Sequence, residues 1–258
     1  MIPSAAADPI RAFVGDVERL APGRLVAVYL VGGLALGDFS ARQSNLDLVV
    51  VAEPPWSAEE RAALAPAERR LWRVGRPPGI WYAGWDDMAD RPPPAGPGGE
   101  AGPGGAAGPG GAAGPGGASP SPLDTPLTRA LLQEEAIAYL GPDWPVVAFD
   151  EREYRAWCRR SLVDLAGHAD GLMIMRRGVA PMVLEAARLA QGAATGRVFS
   201  KSEAGDKALE LVPPHFRRIL HDAAGYRNGA NTSMYWGPFE RKYDARQLIR
   251  RLVEAVAA

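Results

Sequence analysis

The chain of 258 residues is long enough for one large domain or two ordinary ones, and its hydrophobic fraction of 47% suffices to bury a core. With 29 Lys and Arg against 30 Asp and Glu, the formal net charge is −1, so no global basic field would attract nucleic acid or an anionic membrane. These numbers exclude a wholly disordered chain and argue against a dedicated nucleic-acid-binding protein.

The cysteine content and the lack of a long apolar stretch indicate where in the cell the protein is expected to act. The single cysteine, Cys158, excludes an internal disulfide, and the three histidines cannot build a zinc site with it at any usual spacing. No basic stretch followed by an apolar run opens the chain, and no segment approaches the roughly 18 uninterrupted apolar residues of a membrane span. We therefore expect a cytoplasmic protein without a membrane partner.

The first part of the chain alternates helical and strand-like patterns. Apolar residues recur with helical spacing in its first segment, and valine-rich runs typical of buried strands lie on either side of a turn at Gly32 and Gly33. A short helical pattern and an aromatic strand pattern come next. In chain order, the predicted elements are a helix at 10–20, strands at 25–31 and 46–52, a helix at 58–71 and a strand at 80–85.

A change in composition then divides the chain. The tract 92–122 opens with three prolines and continues with repeats of Ala-Gly-Pro-Gly-Gly-Ala, which cannot build a core. Its glycine spacing is collagen-like, but the tract is short, and we interpret it as a flexible linker. Beyond it no strand pattern is convincing, and helical periodicity recurs at 127–139, 151–175, 181–191, 202–211, 214–226 and 245–257. The predicted parts are therefore 1–91, the linker 92–122 and a helical domain at 123–258.

The most informative segment joins the first two predicted strands. The turn Gly32-Gly33 ends the first strand, and Ser44-Asn45-Leu46-Asp47 opens the second. A glycine turn lets backbone N–H groups approach nucleotide phosphates, and polar side chains separated by one residue on a strand point the same way and can share a cation. This order resembles the signature of the nucleotidyltransferase superfamily, in which a Gly-Ser turn precedes Ser-Asp-x-Asp and a third carboxylate lies on a later strand.

The resemblance implies a site for ATP and Mg²⁺. Gly32, Gly33 and Ser44 would contact the nucleotide, while Asp47 would be the catalytic carboxylate and would bind the metal together with Asn45. In this family the ions neutralise the triphosphate and orient a hydroxyl group for in-line displacement of pyrophosphate.

Three positions depart from the family pattern. Gly33 stands where the family has a phosphate-contacting serine, and Asn45 stands where it has the first metal-binding aspartate. The amide removes one negative charge at the cation. The alignment puts Trp81 at the third carboxylate, with Asp86 or Asp87 as nearby substitutes, so Asp47 alone remains of the expected triad.

The second part of the chain carries a further resemblance. The run Thr-Gly-Arg-Val-Phe-Ser-Lys-Ser-Glu-Ala-Gly at 195–205 is similar to the helical C-terminal domain of aminoglycoside adenylyltransferases of the streptomycin and spectinomycin type, and Leu-Gly-Pro at 140–142 is similar to their interdomain junction. The resemblance implies that Arg188 and Lys201 hold the nucleotide phosphates, with ATP bound in a cleft between the domains.

The expected fold class is α+β, with an N-terminal nucleotidyltransferase-like mixed-sheet domain followed by an all-α helical bundle. The expected function is transfer of AMP from ATP to a hydroxyl of a small molecule, aminoglycoside-like or unknown. Two alternatives remain open: a catalytically impaired homologue that binds a nucleotide or another ligand, and a non-enzymatic protein-interaction scaffold. No nucleic-acid partner is expected, and the sequence leaves the oligomeric state open.

Overall fold

The structure is a computed structural model that describes residues 2–41, 43–71, 78–88, 125–143, 147–171 and 175–257. Its contacts divide the chain into two compact units, Met1–Phe149 and Asp150–Ala258, which we call the sheet unit and the helical unit. The predicted Gly/Pro linker at 92–122 lies outside the described residues.

The sheet unit mixes helices and strands. Its first three strands are close to the predicted ones, and the first agrees to the residue. The elements are α1 (Ser4–Leu20), β1 (Leu25–Val31), β2 (Asp47–Ala52), α2 (Ala58–Leu71), β3 (Gly79–Gly84), α3 (Trp85–Met88), α4 (Pro126–Glu135) and β4 (Ile137–Leu140).

The strands form a mixed sheet in the order β3-β2-β1-β4. β1 pairs antiparallel with both β2 and β4, whereas β2 and β3 run parallel and are joined through α2. Every residue of β2 is buried, as expected for a central strand covered on both faces. The mixed-sheet prediction is therefore confirmed.

One face of the sheet packs on α1 and α2. Strand side chains of alternating positions, among them Leu30 and Leu48, join Phe13 of α1 and Leu64 of α2 in one hydrophobic core. Burying each of these side chains stabilises the fold by about 1.5–3 kcal/mol. The next residue along each strand points to the opposite face, which carries Asp47.

The segment after the linker corrects two expectations. The predicted helix at 127–139 ends at Glu135, and β4 follows it and adds to the edge of the sheet. The helical unit consequently begins at Asp150 instead of residue 123. Four residues are too short to show a strand period, and their pairing with β1 depends on tertiary contacts that a local pattern does not contain.

The helical unit is arranged around one long helix. α6 packs against the other four α-helices of this unit, and Gly196, in a left-handed conformation with φ of 76°, ends it. The α-helices are α5 (Glu151–His168), α6 (Arg176–Thr195), α7 (Lys201–Lys207), α8 (Arg217–Arg227) and α9 (Pro238–Ala257), with 3₁₀ turns at Ala169–Gly171, Ala208–Glu210 and Pro214–Phe216.

Most predicted helices have different bounds in the structure: α1 begins at Ser4 instead of residue 10, and α6 spans Arg176–Thr195 instead of 181–191. The helix predicted at 151–175 already ends at His168, and the helix predicted from 245 begins at Pro238. Across the described part of the chain, no helix combines the length and apolar character that crossing a bilayer requires. A sheet unit followed by a helical unit confirms the α+β fold class.

A buried carboxylate organises the loop between α8 and α9. Asp222, which is 1% exposed, lies 3.3 Å from a guanidinium nitrogen of Arg176 and 3.3 Å from one of Arg241. Its Oδ1 also accepts hydrogen bonds from the Ser233 hydroxyl and the Met234 backbone N–H, at 3.0 and 2.8 Å. Because charged and polar donors surround the Asp222 carboxylate, they offset the cost of burying it.

Candidate functional site

Asp47 is the carboxylate of the sheet unit on which the candidate site depends. It is the first residue of β2, opposite Val31 on antiparallel β1 and opposite Gly79 on parallel β3. The residue is only 6% exposed. The end of β1 and the start of β3 therefore flank this carboxylate on both sides.

Two glycines make room for the Asp47 carboxylate. A Cβ atom at Gly32 would lie 2.4 Å from Asp47 Oδ2, and one at Gly79 would lie 2.5 Å from Asp47 Oδ1. Gly32 also has φ of 65°, which side-chain-bearing residues seldom adopt. The predicted glycine turn is present, and its first glycine is needed both for the turn and for the close approach of the carboxylate.

The register of β3 shows which of its residues lie near Asp47. Gly79 is directly across from Asp47, and Trp81 pairs with Val49. Positions 79 and 81 lie on the same face of the sheet, so a carboxylate at 79 would be the nearest to Asp47 and one at 81 would be its diagonal neighbour. A glycine and a tryptophan stand at these two positions, so neither supplies the third carboxylate.

Tyr29 adds a buried hydroxyl group to the face of Asp47. It pairs with Val49 in the sheet, is fully buried, and its hydroxyl has no hydrogen-bond partner among the residues that the structure describes. Burial raises the pKa of this phenol, so it stays protonated.

The remaining predicted residues of the sheet unit shape the loop before β2. The Gly33 carbonyl accepts a hydrogen bond from Asp38 N–H at 2.8 Å, which closes the glycine turn. Ser44 is buried, and its Oγ accepts from Ser40 N–H at 2.9 Å. Asn45 is half-buried and precedes β2 by two residues, so it does not share the strand with Asp47 as expected.

The oxygen donors at Asp47 limit what metal could bind. Within the described ranges, no group of three or more His, Cys, Asp or Glu side chains is placed to hold a metal ion. Mg²⁺ is often held by one or two carboxylates together with substrate phosphates and waters. Asp47, set in its cradle of two glycines, meets that minimum, and Asn45 offers an amide oxygen nearby in sequence. This donor set fits one Mg²⁺ carried with phosphates and does not fit a pair of ions.

The helical unit contains the second group of predicted residues. Arg188 on α6 forms an ion pair with Glu185, three residues earlier on the same helix. Lys201, the first residue of α7, places its Nζ 3.1 Å from Glu185 Oε2. The structure thus brings Arg188 and Lys201 together, with a carboxylate between them. We call these three residues the Glu185 triad.

The charges of the Glu185 triad reinforce one another. Burial raises the pKa of the Glu185 carboxyl, but the positive charges of Arg188 and Lys201 outweigh this effect and lower the pKa to about 2. Burial likewise disfavours charged Arg188, and Glu185 outweighs it, so the pKa of Arg188 is raised. Glu185 and Arg188 are therefore charged at neutral pH.

Local contacts hold Lys201 beside α6. Ser200 caps α7 by accepting a hydrogen bond from Glu203 N–H at 3.1 Å. At the other end of α7, Gln191 of α6 donates to the Lys207 carbonyl at 2.7 Å. A Cβ at Gly205 would lie 2.9 Å from Leu184, so the glycine allows the two helices to approach closely.

Cys158 lies in the interface between α5 and α6 as a buried core residue. It is fully buried, and a Cβ at Gly192 would lie 2.8 Å from its sulfur. Burial raises the pKa of its thiol to about 11, so the thiolate that a nucleophile needs is absent at neutral pH. Cys158 therefore has a packing role in this interface.

Sequence reasoning missed two residues of the candidate site. Glu185 was detectable, because a carboxylate three residues before Arg188 on a helix is placed to pair with it. Gly79 was not, because its importance follows from the strand register that sets it across from Asp47.

The sequence and the fold of this chain resemble known proteins to different degrees. No match is found among curated protein sequences. Among solved structures, the spectinomycin adenyltransferase AAD(9) from Enterococcus faecialis, solved with ATP and spectinomycin, is similar with a TM-score of 0.64 and 15% identity. The similarity covers 96% of this chain and 99% of that chain, and at this identity it concerns the fold. Residues 159–252 match the family described as aminoglycoside adenylyltransferase, C-terminal domain. This match lies within the helical unit, and the suspected family resemblance is confirmed.

Proposed function

We propose that the protein is a nucleotidyltransferase that binds ATP with Mg²⁺ and transfers AMP to a hydroxyl group of a small molecule. The observation that carries the proposal is the buried Asp47 carboxylate, cradled by Gly32 and Gly79 beside a glycine turn, in an adenylyltransferase fold. Such an activity suits the reducing cytoplasm expected for a chain with one cysteine.

Each unit carries a different kind of candidate ligand-binding group. In the sheet unit, Gly32 and Gly33 offer backbone close to the ligand, and Asp47 would hold one Mg²⁺, with Asn45 as a weaker donor. When bound, this ion supplies neutralisation of phosphate charge. In the helical unit, Arg188 and Lys201 are the cations suited to phosphate oxygens.

The acceptor is proposed as a small polyhydroxylated molecule of the aminoglycoside-like class. Support comes from the structural neighbour, which was solved with spectinomycin, and from the family of the helical unit. The formal net charge of −1 is in keeping with a small-molecule acceptor instead of nucleic acid.

A second candidate function is ATP binding without transfer. It is favoured because two positions near Asp47 carry no carboxylate: Gly79 lies across from Asp47, and Asn45 has an amide. A transferase without carboxylates at positions 45 and 79 keeps Asp47 as its metal-binding carboxylate, and neither of those two positions supplies a base toward the acceptor hydroxyl.

Calorimetry and pyrophosphate release separate the two candidates. ATP would be titrated with and without Mg²⁺, and pyrophosphate release would be followed with a panel of aminoglycosides and other polyhydroxylated compounds. Metal-dependent binding with acceptor-dependent release supports the transferase, and binding without release supports the second candidate. Asp47→Asn and Lys201→Ala test the two units separately, with Glu153→Gln on the exposed face of α5 as a control. Absence of ATP binding to the native chain would refute both and leave the interaction scaffold.

A further inference from the structure

Glu185 forms ion pairs with Arg188 and Lys201, the two cations that the proposed function assigns to phosphate binding. Its two carboxylate oxygens face Arg188 and Lys201, so each cation already has an anionic partner before any ligand arrives. Carboxylates and phosphates seek the same N–H donors, with similar geometry. The carboxylate is charged throughout the working pH range, because the two cations lower its pKa to about 2.

The two ion pairs of the triad differ in how easily they can open. Arg188 is 5% exposed and shares α6 with Glu185, so its pair is fixed by the helix. Lys201 is 27% exposed, lies on α7 and has a flexible four-carbon stem that can turn toward solvent. Lys201 is therefore the exchangeable partner.

Arg188 retains capacity for a further acceptor. Its Nε–H is buried and has no hydrogen-bond partner in the described part of the chain, although Glu185 accepts from its terminal nitrogen. A buried unpaired donor is costly, and an anion that reached it would relieve this cost. An entering anion would thus meet Lys201 at the more exposed edge and Arg188 behind it.

We infer that Glu185 is an internal competitor for the phosphate group, and that anion binding requires Lys201 to exchange Glu185 for the ligand. The inference rests on the proposed role of Arg188 and Lys201 in nucleotide binding. With Glu185 present, the triad offers one net positive charge to a ligand, and without it the same cations offer two. Glu185 accordingly sets both the affinity for phosphate and the preference among ligands of different charge.

The test measures phosphate affinity in variants of Glu185. Inorganic tripolyphosphate and ATP would be titrated by calorimetry into the full native chain, Glu185→Gln and Glu153→Gln, which removes the same charge from an exposed position on α5. We expect Glu185→Gln to bind both probes about 10- to 100-fold more tightly, the range of one charge-assisted interaction, and Glu153→Gln to match the native chain. A gain in affinity cannot arise from damage to the fold.

A second variant covers the case in which Glu185→Gln fails to fold. Glu185→Asp keeps the charge but shortens the side chain, so its carboxylate can remain near Arg188 while losing reach to Lys201, and affinity should rise severalfold. Native and variant proteins that bind tripolyphosphate equally would overturn the inference and leave the proposed function standing. Weaker binding in Glu185→Gln would also overturn it, because Glu185 would then position the cations. No binding of either probe to any variant would overturn both the inference and the proposed function.

Discussion

Alanine substitutions at three glycines test whether the cradle of Asp47 matters for ATP binding. Gly32→Ala and Gly79→Ala would each place a Cβ within 2.4–2.5 Å of an Asp47 carboxylate oxygen, which forces the carboxylate to move. Gly37 is the matched control, because its φ of 67° is close to the 65° of Gly32 and a Cβ there would meet no atom within 4 Å.

The expected losses of stability separate backbone strain from the steric clash. A left-handed conformation costs a side-chain-bearing residue about 1–2 kcal/mol. The reduced entropy of the unfolded chain offsets about 0.4–1 kcal/mol of that. Gly37→Ala should therefore cost about 1 kcal/mol. Gly32→Ala should lose this amount of stability and about 1–3 kcal/mol more, because its Cβ overpacks against Asp47. Gly79→Ala should lose only the part that overpacking causes.

Urea unfolding followed by far-ultraviolet circular dichroism measures these losses, and calorimetry measures the effect of Mg²⁺ on ATP affinity. We expect Gly32→Ala and Gly79→Ala to lose the contribution of Mg²⁺ to ATP binding, since the displaced carboxylate no longer meets the ion. Gly37→Ala should keep it. Equal costs at positions 32 and 37, or an unchanged metal effect in both cradle variants, would refute the role given to the cradle.

Three further predictions follow from buried or altered charges. Asp222→Ala should cost about 3–5 kcal/mol in urea unfolding, because the buried guanidinium of Arg241 and the partly buried one of Arg176 lose their counter-ion. Ionised Glu185 should stabilise the fold fully above about pH 4.5 and lose this contribution as the pH falls toward 2, so Glu185→Gln should flatten the acid limb of a stability profile in which Glu153→Gln resembles the native chain. Asn45→Asp should strengthen ATP binding in a Mg²⁺ titration, and an identical metal dependence would remove position 45 from the site.

Three strands of the sheet unit were predictable because apolar runs in the local sequence indicate buried strands. β1 and β2 are valine-rich runs, and they are consecutive strands joined directly by the segment 32–46. The helix at Ala58–Leu71 was also predicted to the residue. β4 was missed, since four residues at a sheet edge owe their conformation to β1 and carry no period of their own.

The candidate site shows the same division between local and tertiary information. Asp47 and the glycine turn are adjacent to strands that the sequence predicts, so their proximity could be inferred. The opposition of Gly79 to Asp47 depends on a parallel register across a crossover, and a shift of two residues would have placed Trp81 there instead. Sequence alignment alone could not choose between those registers.

The net charge of the Glu185 triad affects the preference between metal-bound and metal-free ATP. Mg²⁺ cancels part of the triphosphate charge, so metal-bound ATP gains less from additional positive charge than metal-free ATP does. Replacing Glu185 by Gln doubles the net positive charge of the triad from one to two. The gain in affinity should therefore be larger for metal-free ATP than for metal-bound ATP, and the variant should discriminate less in favour of the metal complex. Glu185 would then act as a selectivity element that holds back metal-free nucleotide, a role that neither cation could supply by itself.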